Sequence, residues 1–350
     1  MTGIVAEGPG ARLRLLAALA SAAWLPGCYL AQAAAGQAEV LARSRPIPEV
    51  IADPGTPAEV RARLELATEA RAFAVRELGL PDGAAYRRYA DLGRPYAVWN
   101  VVATPEFSVE PRRWCFPVAG CVAYRGYFDE HAARRAAWRL ASDGDDVAVG
   151  GVAAYSTLGR LPDPLYSTMT GWREARLVGT IFHELAHERL YVAGDSEFSE
   201  AFASVVEREG VRRWFRARGA EDELARHAAE LEREAGFAAL LRAARERLRA
   251  LYASGLPTAQ MAAEKQREFG RLKFEYAQLR ARSGGYGVYQ AWFGRALNNA
   301  HLAAAATYHD CVPGLERELA AAGSLAAFYA RAEELSRLPR EHRHAAVCAA

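Results

Sequence analysis

Phe182-His183-Glu184-Leu185-Ala186-His187 lies within Glu174 to Tyr191, a stretch rich in helix-forming residues. Residues four apart on a helix share a face and lie roughly 6 Å apart. His183 and His187 can therefore offer two imidazoles to one cation, and Glu184 leans to the same side, within reach of a water on that cation. Ile181, Phe182, Leu185 and Leu190 supply an apolar face for burial. This H-E-x-x-H pattern is the arrangement that binds zinc and activates water to hydrolyse a peptide bond.

Such a site needs three protein ligands and an open position. The third expected ligand is Glu200, 13 residues after His187 in Phe198-Ser199-Glu200-Ala201-Phe202. Between them, Val192-Ala193-Gly194-Asp195 reads as a turn. Gly194 suits the position after a helix, and Asp195 or Ser196 suits the cap of the next. Two antiparallel helices would then fold the carboxylate back beside the imidazoles. Glu207, seven residues further on, is the alternative ligand; Glu197 and Glu188 are less well placed.

Working outward, the chain of 350 residues has room for one large or two modest domains. A hydrophobic share of 51% and a charged share of 25% are those of a globular protein, and a net charge of +2 gives no footprint for nucleic acid. Residues 1–27 read as a leader: Arg12 and Arg14 precede an apolar run, Leu15 to Leu25, too short to span a bilayer. It ends in Leu25-Pro26-Gly27-Cys28, which resembles a bacterial lipoprotein signal, although Pro26 departs from the usual small residue. Cys28 is then the expected lipidation site, anchoring a periplasm-facing protein in the cell envelope, at the outer membrane. The other four cysteines suit an oxidising compartment, with Cys115–Cys121 expected to bridge a short turn and Cys311–Cys348 to form the second disulfide.

The expected fold is α+β and mostly α. Residues 28–60, with Pro46, Pro48, Pro54 and Pro57, read as a short helix and extended linker, and residues 61–340 as one domain. Its first part, 61–210, holds a helix ending near Leu78, strands near 96–103, 114–127 and 146–156, a helix at 129–142 and the H-E-x-x-H helix. The strand at 146–156 would hold an extended peptide by strand addition, with Gly150 and Gly151 allowing close approach. The second part, 211–340, reads as helical, with a long antiparallel hairpin over 219–283 and helices at 287–308, 313–322 and 324–336.

Several blocks together resemble a bacterial family known as putative aminopeptidases, lipoproteins of the zincin type. They are Arg125-Gly126-Tyr127-Phe128; Ala154-Tyr155-Ser156-Thr157-Leu158-Gly159 with Asp163-Pro164; the H-E-x-x-H hexapeptide; Glu200-Ala201-Phe202-Ala203 with Val206 to Gly210; and Leu297-Asn298-Asn299-Ala300 with Tyr308. The likeness runs from Cys28 to about residue 338. The family pattern has Asn where this chain has Ser199. The resemblance implies a zincin-like, gluzincin-type core and peptidase activity. In that reading Zn2+ sits on His183, His187 and Glu200, Glu184 is the general base, and Tyr155, Tyr308 or His309 stabilises the oxyanion. The substrate is a peptide or protein. The alternative is a metal-bearing lipoprotein that binds peptides or envelope proteins without turning them over.

Overall fold

The protein is described by a computed structural model covering residues 29–116, 120–157, 161–282, 287, 289–305 and 311–348. Cys28, Tyr308 and His309 lie outside the described residues, as does the leader. The architecture is α+β and mostly helical, with small sheets.

Helix α1 spans 29–43 and runs into β1 (Ser44–Pro46) and α2 (Ile47–Ala52). This stretch differs from the expected linker. Val40, Ile47 and Val50 are buried in the main core. Pro46 and Pro57 precede the first residues of α2 and α3 (Ala58–Leu78), and Pro48 lies in the first turn of α2. Proline is tolerated there because those N–H groups have no partner within the helix.

β1 pairs antiparallel with β2 (Arg88–Ala90), which pairs in parallel with β8 (Leu165–Tyr166). A second sheet centres on β3 (Val98–Pro105), with β6 (Arg125–Tyr127) on one side and β7 (Asp145–Val152) on the other, all antiparallel. The hairpin β4 (Trp114–Phe116) and β5 (Gly120–Val122) carries the Cys115–Cys121 disulfide as a cross-strand pair. Helix α4 (Glu130–Ser142), capped by Asp129, packs on this second sheet. β7 is an outer strand; at Gly150 a Cβ would meet nothing within 4 Å, whereas Gly151 makes room for a neighbouring side chain. A Cβ there would lie 2.3 Å from the Tyr96 ring.

The centre of the molecule is the antiparallel pair α5 (Glu174–Arg189) and α6 (Ser196–Ala217), with α3 against α5. Phe182 and Trp214, both buried, meet the ring of Phe73 at 6.0 and 5.2 Å between centroids. Helices α7 (Glu221–Tyr252) and α8 (Thr258–Arg282) form the long hairpin expected from the sequence, around Leu241, Leu248, Phe269 and Leu272. The expected helix at 287–308 is instead two short ones, α9 (Gln290–Phe293) and α10 (Asn299–Ala305). The division has a polar cause. Asn298 accepts from the His301 N–H and donates to the Val147 carbonyl, while the Asn299 N–H donates to Asp146. Buried Asn299 also donates to the Glu106 carbonyl and accepts from Tyr252, so this junction binds the hairpin to the second sheet. Helices α11 (Val312–Ala322) and α12 (Leu325–Ser336) follow. A last helix, α13 (Arg340–Val347), is tied to the start of α11 by the Cys311–Cys348 disulfide.

Candidate metal centre

The local sequence fixes the turn between α5 and α6 tightly. Gly194 takes the left-handed backbone (φ 83°) that other residues adopt at a cost. The Asp195 carboxylate then caps α6 by accepting from the Phe198 N–H. Ser199, buried, accepts from the Val192 N–H at 3.0 Å and donates to the Asp195 carbonyl at 2.9 Å. Its hydroxyl stitches the turn together one residue before Glu200. Asp195 is itself 2% exposed and is balanced from the far end of the chain, by Arg343 at 2.8 Å and His344 at 2.9 Å. A buried carboxylate requires such partners, since removing one would leave its charge uncompensated.

With the turn so held, three ligand atoms converge. His183 Nε2 lies 3.2 Å from His187 Nε2 and 3.2 Å from Glu200 Oε2, which is 3.5 Å from His187 Nε2. Metal–ligand bonds of about 2.0–2.2 Å in a tetrahedron set ligand atoms roughly 3.3–3.5 Å apart. The donor set, two imidazoles and one carboxylate, is also the chemistry a borderline-soft divalent cation takes. Glu184 adds a further match, because its Oε2 is buried and has no hydrogen-bond partner. The residues therefore fit a zinc ion.

Glu207, the alternative ligand, has a different position. Its Oε2 lies 3.0 Å from His183 Nδ1, on the far side of the ring from the converging atoms. Gly179 allows this approach, for a Cβ there would lie 2.8 Å from Glu207 Oε1. The carboxylate fixes the orientation of the ring, the role an outer partner has beside a metal-bound histidine. His187 differs: its Nδ1 is buried without a partner, and its ring rests edge-on against Tyr191 at 5.9 Å.

The charges reflect this crowding. Burial pulls the His183 pKa down, but the carboxylates of Glu200 and Glu207 outweigh it and push it up to about 10. Burial raises the Glu200 carboxyl, yet hydrogen bonds to His183 and His187 overcome that and bring it to about 2.

Tyr155, expected as an oxyanion donor, has its hydroxyl engaged elsewhere. Its hydroxyl donates to Gln37, and its ring stacks on Tyr166 at 5.5 Å. Tyr124, which the sequence reading missed, is 39% exposed and close enough to the cluster for the Glu200 and Glu184 charges to act on its phenol. Burial raises its pKa, and the neighbouring charge of Glu200, the Tyr191 phenol and the charge of Glu184 raise it further. Tyr124 stands between the disulfide-bridged β4–β5 hairpin and β6, a long-range placement that carries no spacing signal.

Comparison with protein families matches residues 28–347 to the family described as "Putative aminopeptidase". No curated protein and no solved structure matches.

Proposed function

Since the chain belongs to the putative aminopeptidase family, we propose that it is a zinc-dependent peptidase with a zincin-like, gluzincin-type core, holding the ion on His183, His187 and Glu200. The observation that carries this reading is the convergence of those three ligand atoms beside the unpartnered oxygen of Glu184. When bound, zinc would lower the pKa of its water towards about 7 and polarise the scissile carbonyl. Glu184 takes the attacking water's proton on Oε2 and passes it to the leaving amine. Tyr124 is the proposed donor to the oxyanion, supported by its neighbourhood with Glu200 and Glu184. Digestion of a mixed peptide library by the zinc-loaded protein, with the products sequenced, tests the activity and its polarity together. An absence of any cleavage would end the proposal.

The proposed location is the cell envelope, with a lipid anchor at Cys28. Two disulfides support an oxidising compartment.

Glu207→Gln keeps all three ligands but weakens the grip on the His183 ring. Its zinc affinity is expected to fall about 10- to 100-fold, read by competition with a chromophoric chelator. The metal-free protein should also show a defined pH response. The folded-state pKa of His183 lies above its ordinary value of 6.5, so its stabilising contribution is complete below about 6.5 and is lost as pH rises through about 10. Glu200 lies below its ordinary value of 4.5, so its contribution is present above that and is lost as pH falls through about 2. Thermal unfolding after chelation should therefore show Tm falling from pH 7 to pH 10. With zinc present the same interval should favour the folded state, because the ligands must be neutral imidazoles. Equal trends with and without chelator would contradict the shared site.

A further inference from the structure

The disulfide at the end of the chain has a third ligand-bearing neighbour. One ring nitrogen of His344 lies within 4.8 Å of both the Cys311 and Cys348 sulfurs. His344 and Cys348 are four apart at the end of α13, with the Cys348 N–H donating to the His344 carbonyl at 2.8 Å, so their side chains share a face. Cys311 comes from the start of α11 and is fully buried. The imidazole is already oriented. Its Nε2 donates to Asp195 at 2.9 Å, which leaves Nδ1, 3.7 Å from Glu197 Oε2 and beyond hydrogen-bond reach, for another partner. A carboxylate on the far nitrogen is the usual outer partner of a metal-bound histidine. Two thiolates and one imidazole are a donor set that zinc takes with an open fourth position.

Packing keeps the two cysteines together without their bond. A Cβ on Gly314, near the start of α11, would collide with the carbonyl of Val347, next to Cys348 and buried. Only glycine allows the two helices to meet backbone to backbone there. Arg343 holds α13 from its other side, on Asp195 at 2.8 Å. Cutting the bond therefore leaves two thiols facing each other. They need part only to about 3.8 Å, the spacing of two sulfurs each about 2.3 Å from a tetrahedral zinc. We propose that in the dithiol form, the state in which the chain is synthesised, Cys311, His344 and Cys348 are a second site, for a thiophilic divalent cation of the zinc class. Ion and disulfide are exclusive occupants of the same two sulfurs. Each joins α13 to α11, and with it the side chains that hold Asp195. On binding, each thiol gives its proton to solvent and its electron pair to the cation. The site does not depend on the peptidase reading.

A full-length chain carrying Cys28→Ala, Cys115→Ala and Cys121→Ala tests this, since Cys311 and Cys348 are then its only cysteines. A water-soluble phosphine reduces the bond: it becomes the phosphine oxide with the oxygen of water, whose two protons pass to the two sulfurs. Cobalt(II), a spectroscopic stand-in for zinc, is then titrated under nitrogen. The reduced chain should take up about one cobalt more than the oxidised chain and gain an intense near-ultraviolet sulfur-to-cobalt absorption. Added zinc should abolish that absorption. His183, His187 and Glu200 offer no sulfur, so the signal reads the second site alone. Cys348→Ser and His344→Ala should each weaken cobalt binding by more than the roughly 10- to 100-fold that an outer partner contributes. Wild type against Cys311→Ala/Cys348→Ala, both reduced, should give the same difference spectrum without the three background substitutions. If reduction unfolds the chain, cobalt should restore its helical circular dichroism. Absence of the sulfur absorption, equal uptake by reduced and oxidised chains, unchanged affinity in His344→Ala, or no recovery of a chain unfolded by reduction would each overturn the site.

Discussion

A Glu184→Gln protein is expected to hold about one zinc per chain while its turnover falls by roughly 100- to 10,000-fold, the range that general acid–base catalysis contributes. The asymmetry follows from the geometry. Glu184 lies outside the three converging ligand atoms, so its loss leaves the donor set intact. Its unpartnered, buried Oε2 is the part that the substitution alters most. The amide keeps the shape but cannot take a proton from water. Metal analysis beside steady-state assays on the same preparation decides the matter. Retained turnover would remove Glu184 as the base, and loss of zinc would make it a structural residue.

Glu200→Gln should act in the opposite order, with metal lost first and activity as a consequence. In the proposed site this carboxylate is the only negative ligand among the three. Its replacement should weaken zinc affinity by more than the roughly 10- to 100-fold expected for an outer partner such as Glu207. Competition with a graded series of chelators, run on both variants together, reads the ranking. A Glu207→Gln protein that loses zinc more readily than Glu200→Gln would exchange the two roles. His183 makes that outcome meaningful, because its two nitrogens face the two carboxylates separately, Nε2 towards Glu200 and Nδ1 towards Glu207.

What could be read from the sequence was what depends on neighbours along the chain. The helical stretch at 174–191, the glycine turn and the Asp195 cap are local signals, and together they determine where Glu200 points. The same logic recovered the α7–α8 hairpin and the short Cys115–Cys121 loop. Local signals misled where their physical meaning was double. Pro46, Pro48 and Pro57 suggested a linker, yet proline also begins helices, and burial of Ile47 and Val50 decided between the two. Glu200 and Glu207 share similar helical faces, and only the close packing at Gly179 reveals which nitrogen of His183 each one meets. Tyr124 comes near the charges of Glu200 and Glu184 only through the tertiary fold, which no periodicity records.

The brace on Asp195 also sets an order of assembly. Arg343 and His344 follow it by 148 and 149 residues, so the turn ahead of Glu200 acquires these partners only after residue 344 has been made. Until then a nascent polypeptide lacks these partners for the carboxylate at the turn between α5 and α6. A product clipped before Arg340 would lack these partners permanently, with His183, Glu184, His187 and Glu200 still present in its sequence. Arg343 and His344 thus bear on the turn ahead of Glu200 from far along the chain.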